Sequence, residues 1–298
     1  MSRSGIFILT ALGLLGAGSA LGQDYPAREV SRPLLLPKTM MELNLDVSSF
    51  TASQVFDDQG NLGDQPGDYE LWKIIVELEY GLLDSVELAA RLPYLSGRLG
   101  KAHGSGFGDV AGEMSVRFLN RPDKVQAAAF FRVSYATGFH DHGHDIQMKK
   151  VVQHDWITGD PSWDFFPGLE AKLIRTNWAL ETRLEYWIRA QGQVEQDVGA
   201  FAETAEWDPG DGLYFRATGI YQVSNKAALR LGAEFTSLGK SFLDDELLKD
   251  QFQLLLLEPS VLVQFNREFD GYFGVGYTVL GQNTGYGFPW MLGFRSRF

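Results

Sequence analysis

The sequence predicts an all-β protein, a closed antiparallel transmembrane β-barrel of about twelve strands, with ten or fourteen as alternatives. Three observations carry this. Apolar residues recur at every second position along nearly the whole chain after residue 40. The connections between these segments alternate between tight and long. No run of 18 or more apolar residues follows the first 22 positions, which leaves helical membrane spans out.

The chain opens Met1-Ser2-Arg3, continues through an apolar run from Ile6 to Leu15, and leaves through small residues at Ala20-Leu21-Gly22. A basic start, a short apolar stretch and a small-residue exit read as a secretory signal peptide over residues 1–22, too short to span a bilayer. Residues 23–40 are then expected as a periplasmic N-terminal segment, and residues 41–298 as the barrel. There is no cysteine, so no disulfide or lipid-modified cysteine is available. The expected location is the outer membrane of a Gram-negative bacterium after cleavage of the signal.

The strand logic is plainest in two segments. Trp72, Ile74, Val76, Leu78 and Tyr80 alternate with Lys73, Glu77 and Glu79. Trp178, Leu180, Leu184, Tyr186 and Ile188 alternate with Glu181, Arg183, Glu185 and Arg189. Successive strand residues point to opposite faces, so each segment has one apolar and one charged face. Four charges on one face of one strand do not line a dry core. They suit a wet or ion-paired lumen behind a lipid-facing wall. Strands are expected near 41–51, 69–80, 84–95, 107–119, 124–138, 162–175, 177–191, 211–223, 226–238, 250–266, 270–281 and 288–298. Long loops are expected at 52–68, 96–106, 139–161, 192–210 and 239–249, opposite short turns that would face the periplasm. Two aromatic girdles follow from the phase. Tyr80, Phe118, Trp178, Tyr221, Phe265, Phe273 and Phe298 fall near one rim, and Trp72, Tyr94, Tyr135, Trp163, Phe235 and Trp290 near the other. Pro259, after the two-sided apolar run Leu254–Leu257, predicts a bulge, or inward leucines in contact with a plug or an apolar ligand.

The lumen-lining candidates are Lys73, Glu77, Glu87, Arg91, Glu113, Arg117, Arg132, Glu181, Arg183, Glu185, Arg216, Arg230 and Glu234. Their signs are nearly balanced, which favours an ion-pair network slightly over a charge filter. The formal net charge of −12 is concentrated instead in loops, for example Asp57, Asp58, Asp64, Asp244, Asp245 and Glu246. With no basic cluster, a nucleic-acid partner is not expected. Outer-membrane lipid and lipopolysaccharide are the expected surroundings, with divalent cations shared by the acidic loops. His140, His142 and His144 form the one metal candidate, although His-x-His on a loop fixes no geometry. No cofactor is expected. Nor is an enzyme, because the His140–His144 cluster has no serine in a matching His-x-Ser position and Ser134 is phased inward.

The last strand places Trp290, Leu292, Phe294 and Phe298 on one face, with Gly293 between them. It resembles the C-terminal signal read by the barrel-assembly machinery, which that resemblance implies as a partner. Leu92-Pro93-Tyr94 followed by Gly106-Phe107-Gly108-Asp109 resembles a motif pair of outer-membrane proteins assigned to the MetA pathway of phenol degradation. The related DUF3187 barrels are similar in length and layout. These resemblances imply a passive channel or binder for small molecules, hydrophobic or aromatic ones among them, with the cargo unnamed. The alternative is a structural or surface-interaction barrel, and an outer-membrane lipid enzyme is a distant third.

Overall fold

The computed structural model describes residues 25–99, 102–135, 137, 162–198 and 201–298. Its strands are β1 (Met41–Phe56), β2 (Leu62–Leu83), β3 (Val86–Leu99), β4 (Ala102–Phe107), β5 (Val110–Arg121), β6 (Val125–Tyr135) and β7 (Asp164–Ile174). They continue as β8 (Trp178–Arg189), β9 (Gly192–Val198), β10 (Phe201–Asp208), β11 (Gly212–Ser224), β12 (Ala227–Leu238), β13 (Phe242–Leu243) and β14 (Glu246–Leu247). The last are β15 (Phe252–Gln264), β16 (Phe269–Val275), β17 (Tyr277–Gln282), β18 (Thr284–Gly287) and β19 (Trp290–Arg297).

Every ladder is antiparallel, successive staves of the wall are neighbours, and the sheet closes on itself through β1 and β19 into a twelve-strand barrel. β4 with β5, β16 with β17, and β18 with β19 each make one stave in two pieces. The seam runs from Glu42 opposite Arg297 to Ser49 opposite Trp290. It is finished by reciprocal bonds between the Met41 and Phe298 backbones, 2.9 and 3.0 Å. Closure leaves no edge, which is what hydrocarbon demands of a sheet. The outer face carries exposed Met114, Phe131, Leu169, Leu184, Leu231 and Val261, an apolar band that a water-exposed wall would not present.

The predicted long loops are corrected by the structure. β1 and β2 run through most of 52–68 and meet at a turn where the Asp57 carboxylate accepts from the backbone N–H groups of Gln59 and Asn61, both at 2.8 Å. Those bonds hold the Asp57 pKa below its ordinary value. Residues 96–106 are likewise the ends of β3 and β4, and 192–210 contain the β9–β10 hairpin. β13 and β14, within 239–249, join that hairpin in a separate four-stranded sheet ordered β14-β13-β10-β9. One side of this small sheet is dry, with Ala205 and Leu243 buried together and Trp207 and Leu248 packed against them, but these apolar residues are too few and too scattered in sequence to read as strand alternation. The segment 139–161 lies outside the described residues.

The predicted strand 270–281 is divided at Gly276, and the closing stave begins ahead of its predicted bounds, at Thr284, and is interrupted at residues 288–289. Pro289 has no N–H for the ladder, and its carbonyl accepts instead from Gly276, at 2.5 Å. Opposite the Leu254–Leu257 run, the β15–β17 register shifts between Leu255 and Leu256, so the irregularity there is a bulge. Phe273 leaves the predicted rim girdle. It stands mid-wall opposite Leu292, while Phe269 takes the rim position, its ring 5.3 Å from Phe265 and 5.9 Å from Phe294. At the other rim Trp72 meets Trp290 at 5.4 Å, and Tyr135 meets Trp163 at 4.4 Å.

Candidate functional site: a plugged and charged lumen

Residues 25–40 turn into the barrel at its short-turn end, around a 3-10 turn at Glu29–Ser31. Val30 is fully buried against Ala179, Ile220, Ala228 and Leu262, an apolar patch on the inner wall. Backbone groups of the segment, which a sheet would otherwise satisfy, find side chains of the wall. Val30 N donates to Gln222 at 3.3 Å, Leu34 N to Gln126 at 2.6 Å, and Leu36 N to Glu87 at 2.6 Å. Arg28 reaches the Thr176 carbonyl and the Asn177 side chain in the β7–β8 turn, both at 2.8 Å.

A knot of charge locks this segment. Asp270, fully buried, accepts from Arg295 at 2.8 Å and Arg297 at 2.6 Å and forms an ion pair with Arg32 at 2.8 Å. Glu29 pairs with Arg32 and lies 3.1 Å from Arg295, and Arg297 also holds Glu42. Lys172 donates to the Glu29 carbonyl at 3.2 Å and pairs with Glu181 at 2.8 Å. Burial works to raise the Glu29 pKa, but Arg295 and Arg32 outweigh it and hold the carboxyl well below the usual range. Between plug and wall is a cavity of about 370 Å³.

Beyond the plug a second cavity, of about 710 Å³, opens among β1, β2, β3, β5, β6, β7, β8, β11, β12, β15, β16 and β19. Arg183 and Arg216 line both cavities and face each other across the β8–β11 ladder, so the two guanidiniums stand at the divide. Arg183 is held by Glu113 at 2.5 Å, Glu185 at 2.6 Å and Glu170 at 3.4 Å, with Phe130 beneath it at 3.7 Å. Arg216 pairs with Glu258 at 2.9 Å and with Glu234 at 3.9 Å. Arg132 pairs with Glu185 at 2.5 Å and lies 4.2 Å over the Phe166 ring. Phe166, Trp187 and Tyr214 form a contiguous aromatic strip, with centroids 5.6 and 6.3 Å apart.

The candidates read from the sequence distribute as follows. Lys73, Glu77, Arg91, Glu113, Arg132, Arg183, Glu185, Arg216 and Glu234 line the larger cavity, and Glu87, Glu181 and Arg230 the smaller. Arg117 leaves the set. Past it the β5–β6 register shifts, and its guanidinium bonds the Asp84 carbonyl in the β2–β3 turn rather than reaching into either cavity. Trp290, Leu292, Gly293, Phe294 and Phe298 occupy the closing stave and its end. His140, His142 and His144 lie outside the described residues. Among the described residues no group of three potential metal ligands gathers. The alternation also contained a signal that went unused: Glu42, Asn44 and Asp46 share the inward phase of β1. Glu29 and Arg32 had no such signal, because their segment has no period.

The chain superposes on an outer membrane channel from Pseudomonas putida F1 with TM-score 0.74 at 15% identity, over 94% of this chain and 100% of that one. The translocator domain of the autotransporter NalP from Neisseria meningitidis gives TM-score 0.55 at 12% identity, over 99% of this chain and 95% of that one. The chain has the fold of an outer-membrane β-barrel. No family model and no curated protein matches it, so the resemblance to the phenol-degradation and DUF3187 barrels stands on the motifs quoted above.

Proposed function

We propose that this chain is an outer-membrane channel or binding barrel for small molecules, closed on its periplasmic side by its own N-terminal segment. The carrying observation is a cavity of about 710 Å³, lined by charged and aromatic groups, inside a wall that its own side chains do not fill. A cavity of this size is in the range that takes a small ligand. The apolar outer band and the rim aromatics support the membrane setting. The outer membrane channel with the same fold supports the transport reading in kind, not in cargo.

A second reading, a structural barrel, is favoured by the three carboxylates that hold Arg183, of which Glu113 on β5 reaches it from across the lumen. Planar-bilayer recordings of the refolded protein separate the two. The channel reading expects discrete conductance steps and swelling of liposomes in small solutes. A protein inserted in the bilayer that shows neither is not a channel.

A further inference from the structure

Lys73 is the anomaly of the larger cavity. Each arginine lining it has a carboxylate: Arg91 has Glu77 at 3.6 Å, Arg132 has Glu185 at 2.5 Å and Arg183 has Glu113 at 2.5 Å. Arg189 has Asp164 at 3.9 Å and Arg216 has Glu258 at 2.9 Å. Among the described residues lining the cavity, Lys73 is the one cation with no carboxylate within 4.0 Å. The register explains why. The residues directly opposite it are Ser48 on β1 and Leu95 on β3, and neither can neutralise an ammonium. The carboxylates that act on it from other positions are engaged elsewhere. Asp46 accepts from the Tyr272 hydroxyl at 2.5 Å, and Glu234 accepts from the Tyr214 hydroxyl at 2.9 Å. Arg91 and Arg132, also facing it, add positive charge.

Lys73 is half-buried, and an anion entering the cavity can accept from an ammonium that no carboxylate within 4.0 Å already holds. The same cavity is lined by Phe166, Trp187 and Tyr214, with Trp187 and Tyr214 stacked at 15°. Flat rings of this kind favour a flat, unsaturated body. Resting on the reading of the lumen as a small-molecule site, we propose that the larger cavity binds small aromatic carboxylates, with the carboxylate seated on Lys73.

The test is titration of the refolded full chain in micelles with sodium benzoate, benzyl alcohol and benzylamine, followed by calorimetry and tryptophan fluorescence. Benzoate is expected to bind saturably and at least tenfold more tightly than the neutral and cationic analogues. Lys73→Met should weaken benzoate by about tenfold to a hundredfold, the scale of one charge-assisted hydrogen bond. Lys73→Arg, which keeps the charge, should retain binding and guards against a folding artefact. Equal binding of benzoate and benzyl alcohol, or an unchanged benzoate affinity in Lys73→Met, overturns the proposal. Bilayer recordings on the same preparation keep the two claims apart. Conductance without benzoate binding removes the carboxylate site and leaves the channel, whereas saturable, Lys73-dependent binding without conductance leaves the site and removes the channel.

Discussion

Asp270 is one carboxylate serving three guanidiniums, and the balance of charge at the short-turn end turns on it. Replacing Asp270 with Asn would strand Arg32, Arg295 and Arg297 with too little negative charge in a buried place. The expected loss is about 3–5 kcal/mol, the scale of breaking a buried ion pair from one side. Urea unfolding of the protein refolded into lipid vesicles measures it. Glu29 makes the same knot sensitive to pH. Its folded pKa lies below the ordinary carboxylate value, so its contribution is complete above the free-chain value of about 4.3 and fades as pH falls further, through the folded value. Docking of the N-terminal segment should therefore hold at neutral pH and weaken only below roughly pH 4. Glu29→Gln should weaken it already at neutral pH, and hydrogen exchange at residues 28–36 reads both effects. Arg295 and Arg297 were legible as inward charges because strand phase tells one face from the other. Their partners were not, because cross-strand register and the path of Glu29 are long-range facts that no local period encodes.

At the scale of elements, the wall strands were legible and the connections were not. A strand between lipid and lumen must alternate, and it does from Trp72 to Tyr80 and from Trp178 to Ile188. β9 and β10 pair residue for residue, but the dry patch they share with β13 is only Ala205, Trp207, Leu243 and Leu248, too little to set an apolar period along either strand. The N-terminal segment is held by packing as close as its hydrogen bonds. A Cβ at Gly81 would lie 2.0 Å from the Pro37 carbonyl oxygen, and the Gly81 backbone exchanges bonds with Met40 (2.9 Å) and Thr39 (2.7 Å). Gly81→Val should therefore keep the barrel and lift the segment off the wall. The expected result is unchanged β-content by circular dichroism with faster tryptic cleavage at Arg28 and Lys38. A segment that stays protected in this variant would mean that the plug is not seated through this contact.

At the scale of the whole molecule, the barrel and its plug are two layers of different origin. The wall is specified by a period repeated twelve times, and it encloses more space than its own side chains occupy. What closes the short-turn end is a stretch with no period, tied to wall residues far from it in sequence: Asn177, Gln222 and Asp270. Because the barrel closes through β1 and β19 without any help from residues 25–36, removing those residues leaves every wall ladder intact. Their removal does strip Asp270 of Arg32, but Arg295 and Arg297 remain, so the wall keeps its own neutralisation. The cavities of about 370 and 710 Å³ would then be parted only at Arg183 and Arg216, side chains bound to their own wall. Deletion of residues 25–36 is accordingly expected to give a protein that refolds, inserts and conducts in larger and longer-lived steps than the full chain, with faster liposome swelling. Equal conductance in the two forms would place the closure at the arginine pair instead, and Arg216→Ser in the deleted background would then be the change that opens it.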